Sequence, residues 1–344
     1  MTKKDDELLL GKPVESLQVD AGSDVGDLLR RMGDTAFQGK NLAVAVEIWA
    51  DMLGSDTTIF LGLAGAMVPA GMRKLVAYLL KNRLVDCLVS TGANLFHDCH
   101  ETIGELHYQG RHTADDVALR EKGIDRIYDV FARDRAFIKT DRFIADVGSS
   151  LGGGKLNTRE FLYLLGKALL EKGKTRGILT SAYEARVPIY CPAISDSSIG
   201  IALAVAASNG AVIPQLDVIS DVIESATLVA DAADCTGVIY VAGGTPKNFI
   251  QQTEVTAPLI GRPVKGHSYA IQLSVDPPHW GGLSGCTLEE AQSWGKVAKR
   301  AKKVTVYCDA TIALPMVVHG LVQQHGQAMA SRKAPEMKLT WPEN

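Results

Sequence analysis

No stretch of this chain is apolar for long enough to cross a bilayer: the best run, IGIALAVAA at residues 199–207, falls far short of the roughly 20 residues a spanning helix needs. An excess of positive charge is also missing. Thirty-six Lys and Arg stand against 39 Asp and Glu, which leaves no broad basic field for nucleic acid. Cysteine is sparse, and Cys87, Cys99, Cys191, Cys235, Cys286 and Cys308 stand singly, several inside apolar runs, which excludes a disulfide framework and a zinc knuckle. The opening MTKKDDELLLGK sets acids beside its lysines and has only a short apolar run, so it fits neither a secretory signal nor a transit peptide. A cytoplasmic protein acting on small molecules or other proteins, without a membrane segment, is the expectation.

What is present is a regular alternation. Residues 1–22 are polar and aperiodic and read as a flexible arm; residues 23–344 are expected to form a single unit. Apolar, β-rich runs recur at 58–63, 86–91, 188–194, 212–217, 237–243, 269–275 and 304–310. Helix-period segments separate them, among them NLAVAVEIWADML, AGMRKLVAYLLKN and ISDVIESATLVADAA. Buried strands alternating with helices predict an α/β fold, a Rossmann-like doubly wound, mainly parallel sheet with helices on both faces. Ligands of such sheets bind at the carboxyl ends of the strands. Those ends run into small or polar residues: LGLAGAMVPAG, STGANLFHD, SDSSIG, AGGTPKN and CDAT. Any one of these is ordinary turn chemistry, but together they point to a nucleotide or dinucleotide cleft.

Neither standard phosphate motif is matched. G-x-G-x-x-G does not follow the first strand, and GSSLGGGK at 148–155 has Ser149 and Leu156 where a P-loop needs glycine and Ser/Thr, so it reads as a mobile loop or lid. NLFHDCHE places His97 and Glu101 on one helical face, but without the H-E-x-x-H order no metal site is expected. TLEEAQSWGKVAKRA reads as one helix opened by a capping box at Thr287. Its apolar stripe would be Ala291, Trp294, Ala298 and Ala301, with Lys296 on the opposite face between Glu289 and Arg300. The glycine inside that helix costs about 1 kcal/mol relative to alanine, and beside an indole and a lysine it would give a ligand room. A lysine amine there can form an imine with a carbonyl carbon if its surroundings lower its pKa, or it can be a solvated surface lysine; the motif alone leaves both open.

Several stretches together resemble the deoxyhypusine synthase family, which includes homospermidine synthases. These are FLGLAGAMVPAGMRKLV, LVSTGANLFHD, LREKGIDRIYDVF, CPAISDSSIG, AGGTPKN, SGCTLEEAQSWGK and VTVYCDATIALP, in the family's order and over nearly all the chain after the arm. The resemblance implies a homotetramer with NAD and amine sites at a dimer interface. It also implies an NAD-dependent transferase of polyamine metabolism, moving an aminobutyl-type group as an imine on a lysine to an amine acceptor. That lysine corresponds to Lys296. For NAD the family pattern falls on Ser90, Thr91, Gly92, Asp196, Gly243, Ser274, Val275, Asp309 and Ala310, while Ala66 replaces an asparagine. Among amine-binding positions Glu290 and Trp294 are kept, but His97 stands for a carboxylate, Ile201 and Leu283 for aspartates and Asn248 for a histidine. Charge-assisted hydrogen bonds to ammonium groups, worth roughly 1.5 to 3 kcal/mol each, are thereby removed. An altered amine is the expectation, with either a protein lysine or a free diamine, as in homospermidine formation, as acceptor; a non-catalytic NAD-binding scaffold is the alternative of another class.

Overall fold

The structure, a computed structural model, describes residues 11–342. The first ten residues of the expected arm therefore lie outside the described residues, and residues 11–22 form no helix or strand and are all exposed. Six parallel strands make the central sheet: β1 (Thr57–Leu63), β2 (Cys87–Ser90), β3 (Ile189–Tyr190), β4 (Cys235–Val241), β5 (His267–Leu273) and β6 (Val297–Val306). Their spatial order is β6-β5-β4-β1-β2-β3. The chain thus winds outward from β1 to β3, returns to the other side of β1, and winds outward again to β6. This is the doubly wound order of Rossmann sheets, with its switch point between β1 and β4.

Apart from a short helix at Asp116–Glu121 beside the small antiparallel sheet, the α-helices among the described residues are α1 (Val25–Met32), α2 (Phe37–Leu53), α3 (Arg73–Lys81), α4 (Gly92–Thr102), α5 (Asp134–Ser150), α6 (Thr158–Lys172), α7 (Ile178–Ala185), α8 (Ser198–Ser208), α9 (Val218–Ala230), α10 (Gly244–Leu259), α11 (Leu288–Ser293) and α12 (Ala310–Ser331). Alternation along β1 explains the layers. Ile59, Leu61 and Leu63 enter the larger core with Trp49 and Met52 of α2 and Leu314 and Val317 of α12. Phe60 enters the opposite one with Val238, Tyr240, Ile250 of α10 and Leu288 of α11. A strand covered on both faces has to be apolar throughout, and all seven residues of β1 are buried. No described helix is long and apolar enough to cross a membrane.

Four readings of the sequence are corrected. The run at 212–217 does not join the sheet: Gln215 and Leu216 pair with Lys155 and Leu156 in a separate two-stranded piece. That pairing also ties down the glycine-rich stretch expected to be a lid. Its first residues end α5, Gln215 N donates to Gly154 O at 2.7 Å, and Lys155 Nζ lies 2.7 Å from Asp217. A three-stranded antiparallel sheet at 108–133 was not foreseen, because its strands are two to four residues long and carry no resolvable alternation. The fourth correction concerns the lysine motif. The helix begins where its capping residue says, with Thr287 Oγ1 accepting from Glu290 N at 3.0 Å, but it stops at Ser293. Gly295 takes φ +71° and turns the chain into β6, so Ala298 and Ala301 belong to a strand, not to a helical stripe.

Candidate active site

At the carboxyl edge of the sheet, the loop after β1 and the loop after β4 meet at the switch point, where Ala64 N donates to Val241 O at 3.2 Å. Ala242 there has φ +60°, a conformation that residues with side chains keep only where the surroundings impose it. Three helices start along the same edge: α4 after β2, α8 after β3 and α10 after β4. Thr91 and Ser197 make no side-chain capping hydrogen bond, so the first-turn amides of α4 and α8 stay available, whereas in α10 Gly244 N donates to Ser284 Oγ at 3.0 Å and Pro246 has no amide hydrogen. Uncapped helix starts converging on one edge suit an anionic ligand such as the pyrophosphate of a dinucleotide. Close approach is built in as well, since a Cβ on Gly92 would lie 2.3 Å from Ser197 Oγ.

Each residue expected to serve NAD lies on this edge. Ser90 closes β2 and is buried, with Oγ donating to Thr91 O at 3.1 Å; Thr91 Oγ1 accepts from Asn94 Nδ2 at 3.2 Å; Asp196 is exposed before α8. Ser274 N donates to Val306 O, and Val275 follows it, exposed. Asp309 already has an internal task, accepting from Thr311 N at 2.8 Å to cap α12, whose first residue Ala310 is buried.

Lys296 stands elsewhere. Its carbonyl accepts from His267 N at 3.1 Å, so its backbone enters at the amino end of β6. The side chain lies against Trp294, with Nζ 5.2 Å from the ring centroid of an indole that is itself exposed, while Glu290 is exposed one turn earlier on α11. Sequence reasoning missed the group that gives this lysine its setting. Lys247 of α10 is wholly buried; its Nζ donates to Gln272 Oε1 at 3.0 Å and to Cys286 O at 2.5 Å and lies 5.9 Å from the Tyr240 ring centroid. Burial pushes its pKa down to about 8, opposed by Cys286 and Glu290 and reinforced by the charge of Lys296. Two lysines and one exposed carboxylate thus share an electrostatic neighbourhood. The only sequence signal was a lysine inside a helix start, which cannot reveal that Gln272, itself bonded to Ala242 O and Ser284 O, holds an acceptor beneath it.

Below Lys296 a second buried network holds the strand pair. Glu254 Oε2 accepts from Gly266 N at 2.9 Å, and Thr236 Oγ1 lies 2.8 Å from His267 Nδ1. Burial raises Glu254 to about 7 and lowers His267 to about 3, so the imidazole is neutral.

The other expected amine contacts are not gathered around Lys296. Asn248 lines a groove of about 300 Å³ with Val222, Ser225 and Gln252, between α9 and α10. His97 sits on α4, four strand positions from β6. There it forms a chain that its helical spacing only half disclosed: His97 Nδ1 to His107 Nε2 at 2.9 Å, then His107 Nδ1 to Glu101 Oε1 at 2.8 Å. His107 belongs to a loop, outside any helical pattern. The two replacements expected to abolish ammonium anchoring, Ile201 and Leu283, are both exposed, with 57% and 43% of their surface free.

Comparisons with known proteins follow from this geometry. The family model described as "DS: Deoxyhypusine synthase" matches residues 27–321. In Methanosarcina acetivorans, "Probable deoxyhypusine synthase 2" is 54% identical over 299 residues, 86% of this chain and 86% of its own length. "Probable deoxyhypusine synthase 1" of the same organism is 43% identical over 310 residues, 90% of this chain and 94% of its own. A crystal structure of a candidate deoxyhypusine synthase from Entamoeba histolytica superimposes with a TM-score of 0.62 over 90% of this chain and 97% of that one; at 18% identity it supports the fold alone.

Proposed function

The chain belongs to the deoxyhypusine synthase family, and from that premise we propose that it is an NAD-dependent transferase that takes an aminobutyl-type group from a polyamine-like donor onto Lys296 and passes it to an acceptor amine. Family membership implies aminobutyl transfer. The observation that carries it is the placing of Lys296, whose Nζ lies 5.2 Å from the ring centroid of the exposed Trp294, with Glu290 exposed one turn earlier on α11. Trp294 offers its π face to a cationic or iminium group, and Glu290 supplies the negative end of an amine channel.

NAD, when bound, supplies the hydride acceptor for oxidation of the donor amine and returns the hydride to the transferred imine. Ser90, Thr91, Gly92, Asp196, Gly243, Ser274, Val275, Asp309 and Ala310 would hold it along the carboxyl edge, where the uncapped starts of α4 and α8 suit an anionic group. The unit working in this way would be residues 23–344, with residues 1–22 as an arm. The exposed Trp294, Leu283 and Ile201 leave apolar surface that a second copy would cover, in keeping with a site shared in a homotetramer.

An altered amine has two supports. Exposed Ile201 and Leu283 give ammonium groups no partner, and the chain is closer to the second of two relatives within one organism than to the first. The test is trapping. The protein is incubated with NAD and a panel of polyamines and guanidino-amines, reduced with borohydride and mapped by mass. A mass increment on Lys296 is expected, and its size identifies the transferred group; NAD binding without any adduct on Lys296 would sink the reading. Robust turnover of spermidine with a lysine-bearing protein acceptor would refute the altered-amine part alone.

A further inference from the structure

The histidine chain on α4 has no part in the reading above beyond the expectation that His97 is an amine contact. We infer that Glu101, His107 and His97 form a proton relay whose outer end, His97 Nε2, takes the proton from the ammonium group of the bound amine. The inference rests on the proposed transferase function and specifies its acid–base chemistry.

The polarity of the chain follows from what each group can do. A carboxylate only accepts, so His107 Nδ1 carries a hydrogen towards Glu101. In neutral His107 the remaining nitrogen, Nε2, is then a lone pair and accepts from His97 Nδ1–H. Neutral His97 is left with a bare Nε2, which makes no hydrogen bond among the described residues and is not among the buried side-chain atoms left without a partner. The base is therefore aimed and open. When it takes a proton, the N–H bond of the ammonium breaks and its electron pair stays on the amine nitrogen; an N–H bond forms at His97 Nε2, and the Nδ1 hydrogen of His97 passes to His107 Nε2. The positive charge comes to rest on His107 beside Glu101. The amine is now neutral, as hydride removal and attack on an imine both require.

The surroundings decide where the charge rests. Burial together with His107 and His100 holds His97 down to about 3, so the ring does not retain the charge. His100 is pushed to about 4 by burial and by His107, and its Nδ1 lies 3.1 Å from Thr140 Oγ1. Phe137 of α5 covers the three imidazoles at centroid distances of 5.0 to 6.5 Å. The other charged groups facing the cluster are already engaged. Arg73 of α3 bonds Asp98 at 2.7 Å and reaches Glu101 at 3.6 Å, and Asp98 also accepts from Ile178 N and Leu179 N of α7. Glu105 pairs with Lys139 of α5, and Lys174 lies near Glu105. Arg73 approaches Oε2 of Glu101 and leaves Oε1 to His107.

Two measurements test the relay. Nitrogen-15 histidine spectra report tautomers without any turnover: at neutral pH and above both His97 and His107 should be the Nδ1–H form, leaving Nε2 of His97 bare. An Nε2–H form throughout would overturn the inference. The second is the pH profile of amine-dependent NADH formation. His107→Gln keeps a polar side chain but cannot carry the charge, and should lower kcat at pH 7 by roughly 100-fold, the lower range for general base catalysis. KM and NAD affinity should hold, and the loss should shrink as pH rises and the free amine ionises less. His97→Gln should behave alike. A profile parallel to that of the unaltered protein, or a loss equal at every pH, would overturn the relay while leaving the transferase reading intact; absence of NADH formation by the unaltered protein with every amine would overturn both.

Discussion

At the scale of single residues, the most informative group is Lys247, because it links two readings of one buried charge. As a structural group it holds Cys286 O and Gln272 Oε1 together, fixing the turn before α11. As an electrostatic group it is itself perturbed, burial with the charge of Lys296 lowering it to about 8. Lys247→Met keeps the length of the side chain and removes both the donor and the charge. The acceptors left unpaired should cost about 1 to 3 kcal/mol in chemical denaturation, while adduct formation on Lys296 in the folded variant should keep its rate if Lys247 serves the fold only. Slower trapping in a fully folded Lys247→Met protein would assign it a part in the chemistry as well. Lys296 itself was legible in the sequence through resemblance and not through periodicity, since a wheel drawn across Gly295 put it on a solvated helix face. His107 was not legible at all: its partners are six and ten residues away, across a turn that no local pattern encodes.

At the scale of elements, Gly295 shows where the sequence misled. Read as a residue inside a helix, it called for a ligand to justify it. In the structure Gly295 N donates to Gln292 O at 3.1 Å and Lys296 N to Ala291 O at 3.0 Å, with φ +71° at the glycine, so it closes α11 as a left-handed C-terminal residue. The backbone alone then explains the glycine, and nothing lies within 4 Å of where its Cβ would be. Gly295→Ala should lower stability by about 1 to 2 kcal/mol, the cost of the left-handed conformation for an L-residue. Gly295→Asn, tolerant of that region, should recover most of it in chemical denaturation, and amine trapping on Lys296 should recover with it. Loss of trapping in a stable Gly295→Asn protein would restore the idea that the glycine makes room for the amine. The strand that follows explains the misreading: residues 298–301 bulge away between the pairs His267–Val297 and Tyr269–Lys302, and a bulged, charged edge strand has no period of two. The central strands, apolar from end to end, were legible for the opposite reason.

At the scale of the whole molecule, the sheet order sets a constraint that the individual residues do not. β2, which leads into α4 and its histidine chain, and β6, which Lys296 precedes, are four neighbours apart, about 19 Å at the usual spacing of strands. A short amine held by Lys296 does not span that width along one chain. If one amine meets both, His97 has to come from a second copy, and the apolar surface left open at Trp294, Leu283 and Ile201 is where that copy would seat. The arrangement is testable by complementation. Lys296→Ala and His97→Ala are each made alone and assayed for transfer to the acceptor amine at pH 7, where the first should lack it and the second should keep about a hundredth of it. Co-expression then mixes them at random: half the dimers carry both variants, and in each of these one of the two shared sites combines an intact Lys296 with an intact His97. About a quarter of the unaltered activity should return for an isologous interface. Were both groups to act within one chain, every site in the mixture would keep one defect and no activity would return.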